Sequence, residues 1–345
     1  MHSVAEHPAA GRARTVARLL VAGAVCALAL TLTACSGSGP LTTPDGKPIS
    51  TSTTRIASAN VVSADRDLTR TCLAPTAPDP GLPDVARIVV TDPALLDAIC
   101  ALGLGPKVTA VTSAPGSIPA YLGPQLSSVP TIGTSPGAAE VRAASPDIVL
   151  TTPGTAPSAA AFRGVRSAPI GGDDWQSRFT SVAQALNRAG SADRLLTEFR
   201  AEATRTGTRM DAAHQQVSLV RFVPGSTGDG AEIIAGTDSF AGQILSLIGV
   251  QRPAPQRTAQ SVPVSDTNFT DADGDLIYVS FDGTVGLEYG KQVMESDRWL
   301  DMGAPTWKRV LVVDDEIWYR TSGLAAAWLV LNDVKESLNG SSANY

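Results

Sequence analysis

Ser145-Pro146-Asp147-Ile148-Val149-Leu150-Thr151 holds a helix stop, a turn and the start of a buried strand within one short stretch. Pro146 disfavours helical backbone at Ser145, so the helical pattern running from about Ala138 to Ala144 must end there. Asp147 to Thr151 then reads as a strand, because a short apolar β-branched run bounded by turn signals suits a sheet covered on both faces. Working outward, Arg87 to Val90, Val108 to Val111, Val129 to Gly133 and Ala168 to Gly171 repeat the strand pattern. Pro93 to Leu102 reads as a helix, with Thr91 or Asp92 as its cap and Pro93 at the first helical position. Strands alternating with helices predict βα units around a mostly parallel sheet.

A long helical passage follows from about Ser177 to His214, with Gly190 and Gly207 as its expected interruptions. A second strand set covers Val217 to Phe222, Glu232 to Ala235, Leu276 to Phe281, Lys308 to Val313 and Glu316 to Tyr319. The closing segment starts at Thr321-Ser322-Gly323 and puts Leu324, Ala327, Trp328, Leu331, Val334 and Leu338 on one helical face. Trp328 therefore reads as core. The expected fold is α/β, with two Rossmann-like βα lobes joined by a long helix.

Upstream, Arg12, Arg14 and Arg18 precede an uncharged run from Leu19 to Ala34 that ends in Leu32-Thr33-Ala34-Cys35. This has the order of a secretory signal closed by a lipobox, and the run is short for a membrane span. Cleavage before Cys35 would leave a diacylated cysteine, and two acyl chains suffice for stable anchoring. The expected organisation is a signal peptide at 1–34, a lipidated Cys35 with a flexible tether to 54, and an irregular extension at 55–84. An N-lobe at 85–173, a linker helix region at 174–216 and a C-lobe at 217–345 complete it. Ser, Gly, Thr and Pro dominate the tether, while Pro75, Pro78, Pro80 and Pro83 interrupt the extension. Cys72 and Cys100 remain as a pair that an extracytoplasmic compartment would oxidise to a disulfide.

A net charge of −6 argues against nucleic acid. His214 alone remains of three histidines after cleavage, which disfavours a receptor for free zinc or manganese. That histidine has no recognisable nucleophile partner, so the chain does not read as an enzyme. Pro224-Gly225-Ser226-Thr227-Gly228-Asp229-Gly230 lacks the Lys-Ser/Thr of a phosphate loop and reads as a hairpin turn.

Several fragments together carry a resemblance: Ala101-Leu102-Gly103, Val129-Pro130-Thr131-Ile132-Gly133 followed by Glu140, and Ser145 to Leu150. Val220-Arg221-Phe222, Gly236 to Gly242 ahead of Leu247-Ile248-Gly249, Asp275 to Val279, Trp299-Leu300 and Val312 to Trp318 extend it, leading to Gly323 and the closing helix with Asn332-Asp333. From Val85 onward the chain resembles the extracytoplasmic solute-binding lipoproteins of iron-siderophore ABC importers, the class that also serves haem and cobalamin. The resemblance implies the helical-backbone class III architecture and a ferric siderophore, or related iron chelate, in a cleft between lobes. It also implies an ABC permease as partner, a monomer at the outer face of the cytoplasmic membrane, and no permanently bound cofactor, with iron present only in the ligand.

Ligands of open α/β sheets bind beyond the carboxyl ends of the strands. Arg221 leads the candidates, since a guanidinium fork suits carboxylate or hydroxamate oxygens. Trp175, Phe222, Tyr121, Ser135, Phe240, Tyr289, Tyr319 and Arg320 are the other candidate contacts. Haem is the alternative ligand, with Tyr121, Tyr289 or Tyr319 as the iron-ligating phenolate. A non-transport envelope role is the alternative use. It draws on a departure from the family pattern: no glutamate lies between Glu140 and Glu198 or between Glu232 and Glu288, where permease-docking acids are expected, leaving Asp238 as a substitute.

Overall fold

The structure is a computed structural model and describes residues 54–72, 74–155, 160–226 and 228–342. The signal peptide, Cys35 and the tether up to residue 53 lie outside the described residues. Strands β1 (Arg55–Ile56) and β2 (Ala59–Val61) come first, followed by β3 (Ile88–Val90), β4 (Val108–Val111), β5 (Ile148–Thr151) and β6 (Arg166–Pro169). After the helical passage come β7 (Val217–Pro224), β8 (Gly230–Ile234), β9 (Val262–Pro263), β10 (Leu276–Phe281) and β11 (Val310–Val312).

The first sheet has the order β4-β3-β5-β6 and is parallel throughout. Its central strands are buried on both faces, with Ile88, Val89, Val90 and Leu150 fully enclosed, which explains their unbroken apolar runs. The Ala138–Ala144 helix ends at Ser145 in left-handed backbone, and the Asp147 carboxylate then accepts the Ala86 and Arg87 N–H groups. The turn that launches β5 thereby also fixes the start of β3. The 129–133 segment, expected as a strand, contributes only a bridge from Thr131 to Val111, because Pro130 has no N–H to give a ladder.

The second sheet has the order β1-β2-β11-β10-β7-β8-β9. Residues 55–61, expected to be irregular, form a hairpin through Ala57 and Ser58, both at positive φ, and β2 pairs parallel to β11. The next residues tie this edge to the rest of the fold. Ser63 and Arg66 bond Asp333 of the Leu324–Ser342 helix, and Cys72 is disulfide-bonded to Cys100 with Cα atoms 4.7 Å apart. Asp79 accepts the Ala189 and Gly190 N–H groups, and Asp84 pairs with Arg188, whose side chain is wholly buried. The described residues between 54 and 84 thus form a strap running from the second sheet to the first.

The helical passage consists of Trp175–Ala185 and Ala189–Arg209, broken at Asn187, which has φ of 58°. Gly207 does not interrupt it. A Cβ there would lie 1.7 Å from the Ile248 carbonyl oxygen, so this glycine permits close packing against the Phe240–Ile248 helix. Glu316–Arg320, expected as a strand, is a π-helical turn, begun where the Asp314 carboxylate accepts the Glu316 and Ile317 N–H groups. Trp328 of the closing helix packs edge-on against Phe199, with ring centroids 5.2 Å apart.

Candidate functional site

Both sheets end in polar residues at their carboxyl edges. On the first, Thr91 follows β3, Thr112 and Ser113 follow β4, and Thr152 to Thr155 follow β5. The Thr91 hydroxyl donates to the Leu150 carbonyl at 3.1 Å, Thr152 donates to Asp92 at 3.0 Å, and Ser117 donates to Ser113 at 2.6 Å. The Thr112 hydroxyl is buried without a partner among the described residues. This edge offers hydroxyls and little charge.

The edge of the second sheet is charged. Arg221, on β7, places Nε and Nη2 at 2.7 and 2.8 Å from the two Asp315 oxygens, while Nη2 also lies 3.1 Å from Asp282 just past β10. Ser280 donates to Asp315 at 3.0 Å, and the guanidinium sits 5.3 Å from the Tyr319 ring centroid. The Asp315 hydrogen bonds hold Arg221 more firmly protonated than usual. The two edges meet where the Ala120 N–H donates to Glu316 Oε2 at 3.2 Å. Burial raises the Glu316 carboxyl above its ordinary range. The 112–121 loop and the 314–320 turn therefore face each other across the site.

The remaining candidates separate by position. Ser135 and Arg320 are exposed, and Arg320 continues the turn that carries Glu316 and Tyr319. The Tyr319 hydroxyl is buried without a partner among the described residues, and desolvation pushes its pKa up. Four aromatics proposed as contacts are instead packing residues. Trp175 meets Phe199 and Phe240 edge-on at 5.8 and 6.0 Å, because the Asp174 capping box starts its helix there and turns the ring inward. Phe222 follows Arg221 on β7 and so faces the opposite side of the sheet, where it stacks on Phe281. Tyr121 is enclosed and donates to Asp97 at 2.7 Å. Tyr289 is half-buried edge-on to Phe222, also on that opposite side.

Sequence reading missed Asp282 and Asp315 as partners of Arg221, and Ser280 as a donor that holds Asp315. The acidic run Asp314-Asp315-Glu316 was visible, but its pairing with a residue 94 positions away was not. Asp238 is exposed in the loop ahead of the Phe240–Ile248 helix.

Comparison with known proteins gives a consistent picture. The model of the periplasmic binding protein family matches residues 88–317. A Bacillus subtilis protein named as a probable siderophore-binding lipoprotein, YfiY, is 25% identical over 175 residues, which are 47% of this chain. That alignment spans about half of the relative, 52% of its length. Among solved structures, Staphylococcus aureus SirA complexed with staphyloferrin B superposes with a TM-score of 0.59 at 16% identity, covering 74% of this chain and 94% of that one. FhuD2 from the same organism with bound ferrioxamine B gives 0.56 at 17% identity, covering 75% and 100%. The petrobactin-binding protein YclQ of Bacillus subtilis gives 0.56 at 18%, covering 77% and 93%. These three likenesses concern the fold.

Proposed function

The chain belongs to the periplasmic binding protein family, and we propose that it is an extracytoplasmic receptor that holds a ferric siderophore between the carboxyl edges of its two sheets. Members of the family bind solutes and are not enzymes. The supporting observation is the juxtaposition of the 112–121 loop with the 314–320 turn at the Ala120–Glu316 hydrogen bond, beside the Arg221 cluster. The name of the Bacillus relative supports the same ligand class. In this reading the chain is cleaved before Cys35, anchored there by lipid at the outer face of the membrane, and delivers its load to an ABC permease. Exposed Asp238 is the candidate docking acid on the Phe240–Ile248 side.

The geometry alters what Arg221 contributes. One guanidinium meets two carboxylates there, so the cluster carries a net negative charge and Arg221 is not a free receptor for an anion. Neutral or cationic hydroxamate chelates suit it better than polyanionic ones. Haem is disfavoured because the Tyr121 hydroxyl is committed to Asp97, that of Tyr319 is enclosed, and Tyr289 packs against Phe222 on the opposite side of the second sheet. Intrinsic fluorescence titrated with ferrioxamine B, a neutral ferric trihydroxamate, a ferric tricatecholate and haemin tests the reading. Saturable quenching by a hydroxamate, at least about tenfold tighter than by the tricatecholate, is expected. Quenching by haemin alone, or by none of the four, would refute it.

A further inference from the structure

A cavity of about 420 Å³ lies between the strap and the carboxyl ends of β10 and β11, within the size range of small-molecule sites. Val61, Leu68, Phe281, Leu287, Val312 and Ile317 make its walls apolar. The strap side of the wall precedes residue 88, so it falls outside the part of the chain that matches the family model. Asp315 is shared with the Arg221 cluster, and the lining residues Phe281 and Gly283 flank that cluster's Asp282, so the cavity adjoins the proposed ligand site.

Its charged groups are unequally committed. Arg66 is paired with Asp333, and Asp315 is held by Arg221 and Ser280. Asp314 is exposed at the wall, and no basic side chain among the described residues pairs with it. An apolar chamber beside an uncompensated carboxylate matches an aliphatic chain ending in a cation. We propose that this cavity takes an alkyl chain with a terminal primary ammonium. Resting on the siderophore reading above, that chain is a pendant arm of the bound chelate.

The test uses the folded protein and n-hexylammonium, hexanoate and 1-hexanol, followed by saturation-transfer NMR and calorimetric titration. Hexylammonium is expected to bind at least about fivefold more tightly than hexanoate, in keeping with one partly exposed carboxylate. Leu287→Trp, which fills the chamber, should abolish binding of all three. Exposed Ala64→Trp on the strap provides a second block should the first variant fold poorly. Asp314→Asn keeps an acceptor for the Glu316 N–H but removes the charge, so it should erase the preference and leave hexanol binding unchanged. Equal affinity for amine and carboxylate, no detectable hexylammonium binding, or binding that survives both blocking variants would overturn the proposal. If hexylammonium binds as expected while every chelate fails to quench, the siderophore reading falls and the cation chamber stands; the reverse pattern removes the chamber alone.

Discussion

Replacing Asp97 with alanine is expected to lower the unfolding free energy by about 3–5 kcal/mol, since three buried donors lose their acceptor. The Asp97 carboxylate, almost entirely enclosed, accepts the N–H groups of Ala325 and Ala326 at 2.9 Å each and the Tyr121 hydroxyl at 2.7 Å. It therefore caps the Leu324–Ser342 helix from outside, a helix whose first turn has no internal partners for those groups. Gly323 makes the approach possible, because a Cβ there would come within 2.1 Å of an Asp97 oxygen. Desolvation raises the Asp97 pKa, so part of the gain from these hydrogen bonds already offsets burial of the charge. Asp97→Asn retains acceptor capacity and should cost clearly less. Chemical denaturation of the three proteins decides it, and a loss below about 1 kcal/mol for alanine would mean that water replaces the carboxylate at no cost. Asp97 also connects the helix after β3 to the closing helix, so its removal should loosen the junction where Ala120 meets Glu316.

The second large effect is a fall in stability as pH rises from 5 to 8, amounting to roughly 2–3 kcal/mol. Glu232 on β8 is 3% exposed, and burial pushes its carboxyl to about 7 despite the Arg298 guanidinium at 2.9 Å. A folded-state pKa above the unfolded value means that the native protein binds the extra proton. That contribution is complete below about pH 4.5 and is lost as pH climbs through 7. Asp97, Asp333 and Glu316 are shifted in the same direction by burial. Glu202, drawn down to about 2 by Lys335 and Arg205, has the opposite sign, but its loss falls in the acid range below this window. Glu232→Gln should flatten most of the slope in melting curves recorded across these pH values. A wild-type protein equally stable at pH 5 and 8 would contradict the assignment.

Much of the architecture was legible because buried parallel strands must be apolar throughout. Ile88 to Val90, Ile148 to Leu150 and Leu276 to Val279 have no solvent face to interrupt the run. The β1–β2 hairpin leaves no turn signal in the sequence, because Ala57 and Ser58 occupy left-handed positions where glycine or asparagine is usual. The π-helical turn at 316–320 carries a strand signal because Ile317, Trp318 and Tyr319 have strong β propensity, while Asp314 supplies the turn-starting acceptor. Site residues were harder for a different reason. An aromatic next to a strand end looks the same in sequence whether it lines a cleft, as expected of Phe222 and Trp175, or fills a core, as both do. Arg221 sits near the carboxyl end of β7, as the strand pattern expects, but its chemistry depends on two acids that only the fold brings to it.

The central claim, that the iron chelate sits between the two carboxyl edges, is tested most directly by anomalous diffraction at the iron edge from crystals grown with the ferric hydroxamate that quenches best. The account predicts an iron peak between the 112–121 loop and the 314–320 turn, with the chelate touching the Arg221–Asp315–Asp282 cluster. An iron peak on any other face of the protein would contradict it.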